Sequence, residues 1–110
     1  LLSMGLLGFM YSKGNGVQKD LKKSIELWKT ASKKNSSYSQ RMLGHAYEYG
    51  EGVPVDNVLA YAWYNLAAAA GDSEASVARN SVEKTMTKDQ IAEAQTLSSN
   101  WKTGSLIERR

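Results

Sequence analysis

The fold of this chain is decided by LGHAYEYGEGVPVD (residues 43–56), because the same pattern occurs earlier as LGFMYSKGNGVQKD (residues 7–20). The two stretches lie thirty-six residues apart, and the shared alanines Ala31 and Ala67 extend the match into the residues that follow. A match of this density indicates a duplicated unit. A period of this length is typical of a solenoid, in which each unit buries its apolar face against its neighbours.

The composition favours one folded domain. The chain has 110 residues, of which 42% are hydrophobic and 23% charged, a balance typical of folded rather than disordered proteins. No apolar run approaches the roughly 20 residues that a transmembrane helix needs, so we expect none. The uncharged opening, residues 1–10, lacks the basic segment and cleavage site of a signal peptide. The sequence therefore leaves the localisation open between the cytoplasm and the periplasm or outside.

Helical spacing identifies the first helix of each unit. The periodic positions are Leu7, Met10, Tyr11 and Gly14 in the first unit, and Leu43, Ala46, Tyr47 and Gly50 in the second. Gly8 and Gly44 lie inside these helices, although an internal glycine costs about 1 kcal/mol relative to alanine. We therefore expect a neighbouring helix to approach each of these glycines too closely for any side chain.

A glycine-containing loop and a second helix complete each unit. Gly14 and Gly50 suit the left-handed position that ends a helix, and Asp20 and Asp56 suit the N-caps of the next helices. The stripes that the second helices bury are predicted to be Ser24, Leu27, Trp28 and Ala31, and then Ala60, Trp63, Tyr64 and Ala67. The aromatic residues of these stripes are expected to be core anchors.

A third, degenerate unit follows without the glycine loop. Asp72 or Ser73 suits the N-cap of its first helix, and Thr87 with Gln90 predicts a capping box for its last. The apolar positions of this unit are Ala75, Ala78, Val82 and Met86, followed by Ile91, Ala94, Leu97 and Trp101. We expect one solenoid over residues 1–102, with units of about 1–36, 37–72 and 73–102, and a flexible tail over 103–110.

The fullest pattern runs through the second unit. It comprises Leu43-Gly44, Tyr47, Gly50, Gly52-Val53, Asp56, Ala60, Trp63-Tyr64, Ala67-Ala68 and Gly71. This pattern resembles the Sel-one-like repeat (SLR) family, a branch of the tetratricopeptide-like helical solenoids. The first unit departs from it at Ser24, Leu27-Trp28 and Asn35, and the segment 86–101 is similar to the closing helix of many bacterial members.

The resemblance covers nearly all of residues 1–102. It implies an all-α fold, a right-handed superhelical solenoid of antiparallel helix pairs with about two and a half repeats. It also implies a scaffold or adaptor in protein–protein interaction, because most members of the family are adaptors and generally lack catalytic activity.

No group of residues predicts catalysis, a cofactor or a metal site. Gly14-x-Gly16 and Gly50-x-Gly52 lack a third glycine and follow helices rather than strands, which disfavours a phosphate-binding loop. Cysteine is absent, and His45 is the only histidine, so a metal site with several such ligands is excluded. A serine hydrolase would have to use His45 as its base. A hydrolase of cell-wall-like substrates is the least favoured alternative, since the relatives for which it was proposed are cysteine-rich.

Charge is distributed unevenly along the chain. Residues 1–36 carry seven lysines against Asp20 and Glu26, a net charge of +5, whereas residues 37–72 carry Arg41 against four carboxylates, a net charge of −3. The lysines beside the second helix are Lys19, Lys22, Lys23, Lys29, Lys33 and Lys34. No aromatic residue alternates with them to stack on bases, so a solvated helix face is favoured over nucleic-acid binding. Such a face could still attract an acidic partner.

The outward side of the first helices is the predicted site. In this fold class the first helices line a concave groove, and aromatic residues beside arginine are enriched at binding hot spots. The groove residues are predicted to be Phe9, Ser12, Lys13, Tyr38, Arg41, His45, Glu48, Tyr49, Val77, Ser81 and Lys84. We expect a protein or peptide partner there, with Arg41 and Lys84 supplying charge and His45 a hydrogen bond or pH sensitivity.

Self-assembly is the alternative function. Leu1, Leu2, Met4, Leu6 and Phe9 form an apolar edge that a preceding repeat would cover in a longer array. We therefore expect either an upstream repeat or a homodimer through this edge. Opposed charges on the first two units could add to such an assembly.

Overall fold

The computed structural model describes residues 4–14, 16–101 and 107 of the chain. Within these residues it contains six α-helices and no strand. The helices are α1 (Met4–Lys13), α2 (Leu21–Lys33), α3 (Ser37–Tyr49), α4 (Asn57–Ala69), α5 (Ser73–Glu83) and α6 (Lys88–Ser99). α1 packs on α2, α3 on α4, and α2 also packs on α3, while α4 is in contact with α3, α5 and α6. The predicted all-α solenoid of helix pairs is confirmed.

The helix ends follow the predicted capping chemistry. Asp20, Asp56 and Asp72 each accept a hydrogen bond from a backbone N–H in the first turn of the next helix. Thr87 and Gln90 form the reciprocal capping box of α6. Gly50 ends α3 with φ 71°, a left-handed conformation that favours glycine. The N-cap of α3 is Ser36, which the sequence analysis did not identify.

Close helix packing explains the two internal glycines. A Cβ added at Gly8 would lie 2.5 Å from Nε1 of Trp28, and one added at Gly44 would lie 2.6 Å from Cδ1 of Tyr64. Trp28 and Tyr64 are equivalent residues of the two units, since they too lie thirty-six positions apart. Each aromatic ring therefore occupies the space that its glycine leaves, as the sequence predicts.

The core is centred on α4. Trp63 and Tyr64 are each only 1% exposed, and the buried residues extend around the whole helix: Val58, Leu59, Ala60, Tyr61, Ala62, Trp63, Tyr64 and Ala67. Trp28 is also buried, and Trp101 packs partly buried against the core. The role of these aromatic residues as core anchors is thus confirmed.

Two of the expected segments fall largely outside the described residues. Leu1 and Leu2 of the predicted apolar edge lie outside them, and so does most of the predicted tail, residues 103–110. Ile107 is described and belongs to the core, with 6% of its surface exposed. At this position the chain is therefore packed.

Candidate functional site

The first helices of neighbouring units approach each other at two points. α1 meets α3 where Gly5 approaches Tyr38, so closely that an added Cβ would lie 2.8 Å from the tyrosine ring. α3 meets the start of α5 through Arg41, whose Nε lies 2.8 Å from Oδ2 of Asp72 and whose Nη1 lies 3.1 Å from Oε2 of Glu74. We call the surface formed by the eleven predicted groove residues on these helices the α1–α3–α5 face.

A cavity of about 130 Å³ lies where α1, α2 and α3 meet. Its lining combines apolar side chains with polar groups: Phe9, Ser12, Lys13, Leu21, Trp28, Met42, His45, Ala46 and Glu51. Trp28 and Ala46 are buried, whereas Lys13 and His45 are exposed. Four of the predicted site residues, Phe9, Ser12, Lys13 and His45, are thus brought together. The cavity has an apolar floor and a charged rim, the arrangement common in sites that accept an apolar group.

His45 organises the rim of the cavity. Its Nδ1 lies 2.9 Å from Oε1 of Glu51, and its ring centroid lies 4.6 Å from that of Tyr49 at an interplanar angle of 50°. Tyr49 is 60% exposed. On α1, Nζ of Lys13 lies 5.9 Å from the centre of the Phe9 ring. The rim therefore presents aromatic surface together with one acidic and one basic side chain.

Arg41 is held by internal partners. Besides its contacts with Asp72 and Glu74, its guanidinium lies 5.3 Å from the centre of the Tyr38 ring. The Arg41 side chain is 22% exposed and that of Asp72 is 13% exposed. Arg41 thus links the second unit to the third, and its charge is already balanced by two carboxylates. Burial raises the pKa of Tyr38, and Arg41 opposes this shift.

Glu48 is also engaged within the molecule. The hydroxyl of Tyr64 donates a hydrogen bond of 2.7 Å to Oε1 of Glu48. The pKa of Tyr64 is raised far above its ordinary value of 10.0, first by burial and then by this hydrogen bond, so the ring stays neutral. Glu48 therefore links α3 to α4 through a hydrogen bond.

The α5 part of the predicted site is separate from the cavity. Val77 is 71% exposed, and Ser81 and Lys84 are exposed as well. None of these three side chains lines the cavity. They extend the α1–α3–α5 face beyond this cavity.

The sequence analysis missed Glu51 as a site residue. Glu51 lies in the loop after Gly50, and its approach to His45 depends on the left-handed turn at that glycine. Met42 and Leu21 were missed as well, because they lie on different helices and meet only in the folded chain. The glycine at the helix end was the one available signal, since it directs the loop back toward α3.

Ser12, His45 and Glu51 all line the cavity, which bears on the hydrolase alternative. The Ser12 hydroxyl donates to the carbonyl of Phe9 at 2.7 Å. No hydrogen bond joins Ser12 to His45 in the described structure. A serine nucleophile needs its base within hydrogen-bond reach, and this geometry does not supply that contact.

Residues 4–14, 16–101 and 107 contain no group of three or more histidine, cysteine, aspartate or glutamate side chains that could hold a metal ion. Among the same residues, every helix is too short or too polar to cross a bilayer.

The family is established by comparison with known proteins. A family model described as the Sel1 repeat matches residues 2–36 and 37–72. The chain belongs to the Sel1 repeat family. The two matched segments coincide closely with the units expected from the internal repeat, so the resemblance to Sel-one-like repeats is confirmed. Members of this family commonly act as protein–protein interaction modules and are generally scaffolds without catalytic activity.

Two solved Sel1-type structures are similar to this chain. The first is c5321, a protective antigen of uropathogenic Escherichia coli with an SLR fold, at 33% identity and a TM-score of 0.83 over 86% of this chain. The second is a Sel1 repeat protein from Oxalobacter formigenes, at 40% identity and a TM-score of 0.68 over 71% of this chain. The matches span 21% and 59% of those chains, respectively. No curated protein matches the sequence significantly.

Proposed function

We propose that this Sel1 repeat domain is a non-catalytic adaptor that binds a peptide segment of a partner protein across the α1–α3–α5 face. The observation that carries the proposal is the cavity between α1, α2 and α3, with its apolar floor and its charged rim. A bulky apolar side chain of the peptide enters this cavity. Tyr49 and His45 flank the entrance and provide further contact area.

The chemistry of the rim supports a peptide ligand. Exposed aromatic surface at Tyr49 gives contact area at low entropic cost, because the ring has few rotatable bonds. Lys13 and Glu51 both line the cavity and offer opposite charges, which suits the mixed charge of a polypeptide. Arg41 is not proposed as a ligand contact, since Asp72 and Glu74 already hold it.

A random peptide library tests this proposal. Ser12→Leu adds a side chain at the wall of the cavity and should lower the affinity of selected peptides by about tenfold or more. Thr96→Leu makes the same type of change at an exposed position of α6 and serves as the matched control. We expect the selected peptides to share a bulky apolar residue and to bind the control normally.

Two results would overturn the proposal. One is the recovery of no binders from the library. The other is equal affinity for wild type and Ser12→Leu, with both proteins folded by circular dichroism. His45→Ala with Tyr49→Ala gives a second variant, which alters the exposed rim and leaves the buried floor intact.

The second candidate function is self-assembly through α1. Met4 is 37% exposed and Leu6 43% exposed, which leaves apolar surface on the first helix. If this edge joins two copies, sedimentation equilibrium should show a dimer that Met4→Lys with Leu6→Lys dissociates. A monomer at high concentration, with α1 ordered, rejects this candidate.

A further inference from the structure

The second helix, α2, carries a basic surface that the adaptor proposal does not use. The buried residues of α2 are Ser24, Ile25, Trp28, Ala31 and Ser32. Because a helix turns by about 100° per residue, Lys22 and Lys33 lie away from this buried side, and Lys29 lies at its edge. We call the surface of Lys19, Lys22, Lys23, Lys29, Lys33 and Lys34 the lysine face. All six are exposed except Lys29, which is half-buried.

None of these lysines is neutralised within the molecule. The ion pairs of the described residues involve Arg41 and His45, and no lysine takes part in one. Lys29 and Lys33 lie four positions apart on one helix, where like charges repel each other. Asp20 is occupied as the N-cap of α2. Glu26 is the other carboxylate among these lysines, and residues 19–34 keep a net charge of +4.

The repeat framework does not require lysine at these positions. The equivalents of Lys22 and Lys23 in the second unit are Val58 and Leu59, which are 1% and 8% exposed. Glu26 corresponds in the same way to Ala62, which is fully buried. The same positions thus serve packing on α4 and carry charge on α2, so the charge is specific to the first unit.

The acidic second unit of another copy offers no free carboxylate to the lysine face. The carboxylates of residues 37–72 all have internal roles: Glu48 accepts from Tyr64, Glu51 pairs with His45, Asp56 caps α4, and Asp72 caps α5 and binds Arg41. Releasing any of them would cost a capping bond or an ion pair. The acidic second unit is therefore a poor partner for the lysine face, and opposed charges do not support self-assembly.

From these observations we infer that the lysine face of α2 binds an acidic segment of a partner polypeptide. From Lys22 to Lys33 the face extends about 16 Å, at 1.5 Å per helical residue. An extended chain covers this distance with about five residues, at roughly 3.3 Å per residue. A run of about five residues rich in Asp or Glu therefore matches the lysine face in length and charge.

Two other anionic partners fit this surface less well. Single-stranded nucleic acid is held by aromatic stacking beside basic residues, and the lysine face contains no aromatic side chain. A membrane-surface helix inserts an apolar side into the bilayer, but the apolar side of α2 is buried against α1 and α3.

The test uses the full chain and a labelled peptide with about five consecutive glutamates. An extended peptide of this length matches the distance from Lys22 to Lys33. Lys22→Gln and Lys33→Gln together remove two charges from the lysine face. Arg79→Gln and Lys88→Gln together remove two charges outside both proposed binding surfaces and form the matched control. We expect the first variant to lose about tenfold or more in affinity and the control to retain it, with binding weakened by salt.

Equal losses in both variants would overturn the inference, because bulk charge would then explain the binding. Tighter binding of oligothymidylate or of phosphatidylserine vesicles than of the glutamate peptide would overturn it as well. The inference is independent of the adaptor proposal. Ser12→Leu should leave binding of the glutamate peptide unchanged, so the failure of one proposal is distinguishable from the failure of the other.

Discussion

The helices α2 and α4 are equivalent elements of a duplicated unit, yet they have different surroundings. α4 is in contact with α3, α5 and α6 and is buried on nearly all sides. α2 is in contact with α1 and α3, and its remaining side carries lysines. Both helices keep the same inner stripe and the same glycine–aromatic contact with the preceding helix. The repeat thus requires only one side of its second helix, and the other side is free to pack or to bind.

The largest expected difference between α2 and α4 comes from exchanging one equivalent pair of residues, Lys22 and Val58. Val58→Lys places an ammonium group where 1% of the side chain is exposed, so we expect a loss of at least about 3 kcal/mol in the free energy of unfolding. The reciprocal change Lys22→Val should stay within about 0.5 kcal/mol, because the position is exposed. Urea unfolding followed by circular dichroism measures both, and similar losses in the two variants would contradict the account.

Ser36 and Asp72 are equivalent N-caps, but Asp72 also forms an ion pair with Arg41. The cost of removing each cap should differ by the contribution of that ion pair. Asp72→Ala removes the cap of α5 and the partner of Arg41, and we expect it to cost about 2 kcal/mol. Ser36→Ala removes the cap of α3 and the hydrogen bond from the Ser36 hydroxyl to that of Ser39, and it should cost about 1 kcal/mol. Urea unfolding measures both costs. In the Asp72→Ala background, the further change Arg41→Ala should lower the free energy of unfolding only slightly. Equal costs at Ser36 and Asp72 would show that Arg41 contributes nothing.

Substitutions at the two internal glycines, Gly8 and Gly44, should show a smaller difference in stability. Gly44→Ala forces the Tyr64 ring to move within the enclosed core, and we expect a net loss of about 1–2 kcal/mol despite the better helix propensity of alanine. Gly8→Ala should cost less, because Trp28 belongs to a helix with an open side. Thermal unfolding of both variants checks this order. A gain in stability at Gly44 would mean that the close contact with Tyr64 is not a constraint.

The smallest effect concerns alkaline pH. The folded pKa of Tyr64 is raised above its ordinary value of 10.0, so the unfolded chain releases this proton at a lower pH than the folded chain. The resulting contribution to stability is present below pH 10 and is lost as the pH rises above it. Tyr64→Phe should cost about 1 kcal/mol at neutral pH and show a shallower decline above pH 10. Trp28, the equivalent residue, does not titrate in this range, and Trp28→Phe should leave the alkaline slope unchanged.

Local rules explain why much of the fold was predictable. The internal repeat predicted the helix pairs, and the capping residues Asp20, Asp56 and Thr87 act within one turn of their own helices. The glycines at 8 and 44 predicted a close helix approach because nothing else offsets their cost inside a helix. These inferences needed only neighbouring residues along the chain.

The site was less predictable because it depends on contacts between distant elements. Arg41 was expected to offer a free charge, but the start of α5 brings Asp72 and Glu74 against it. Glu51 was not identified, since its distance from His45 follows from the loop conformation at Gly50. Helical spacing identifies which residues point outward, but it does not show how adjacent helix pairs are rotated relative to each other.

The most direct test of the proposed function is a map of backbone amide chemical shifts on addition of a peptide selected from the random library. The account predicts that the largest changes cluster at Phe9, Ser12, His45 and Tyr49, around the cavity between α1, α2 and α3. Changes confined to α6, or to the lysine face of α2, would contradict the binding of an apolar peptide at the α1–α3–α5 face.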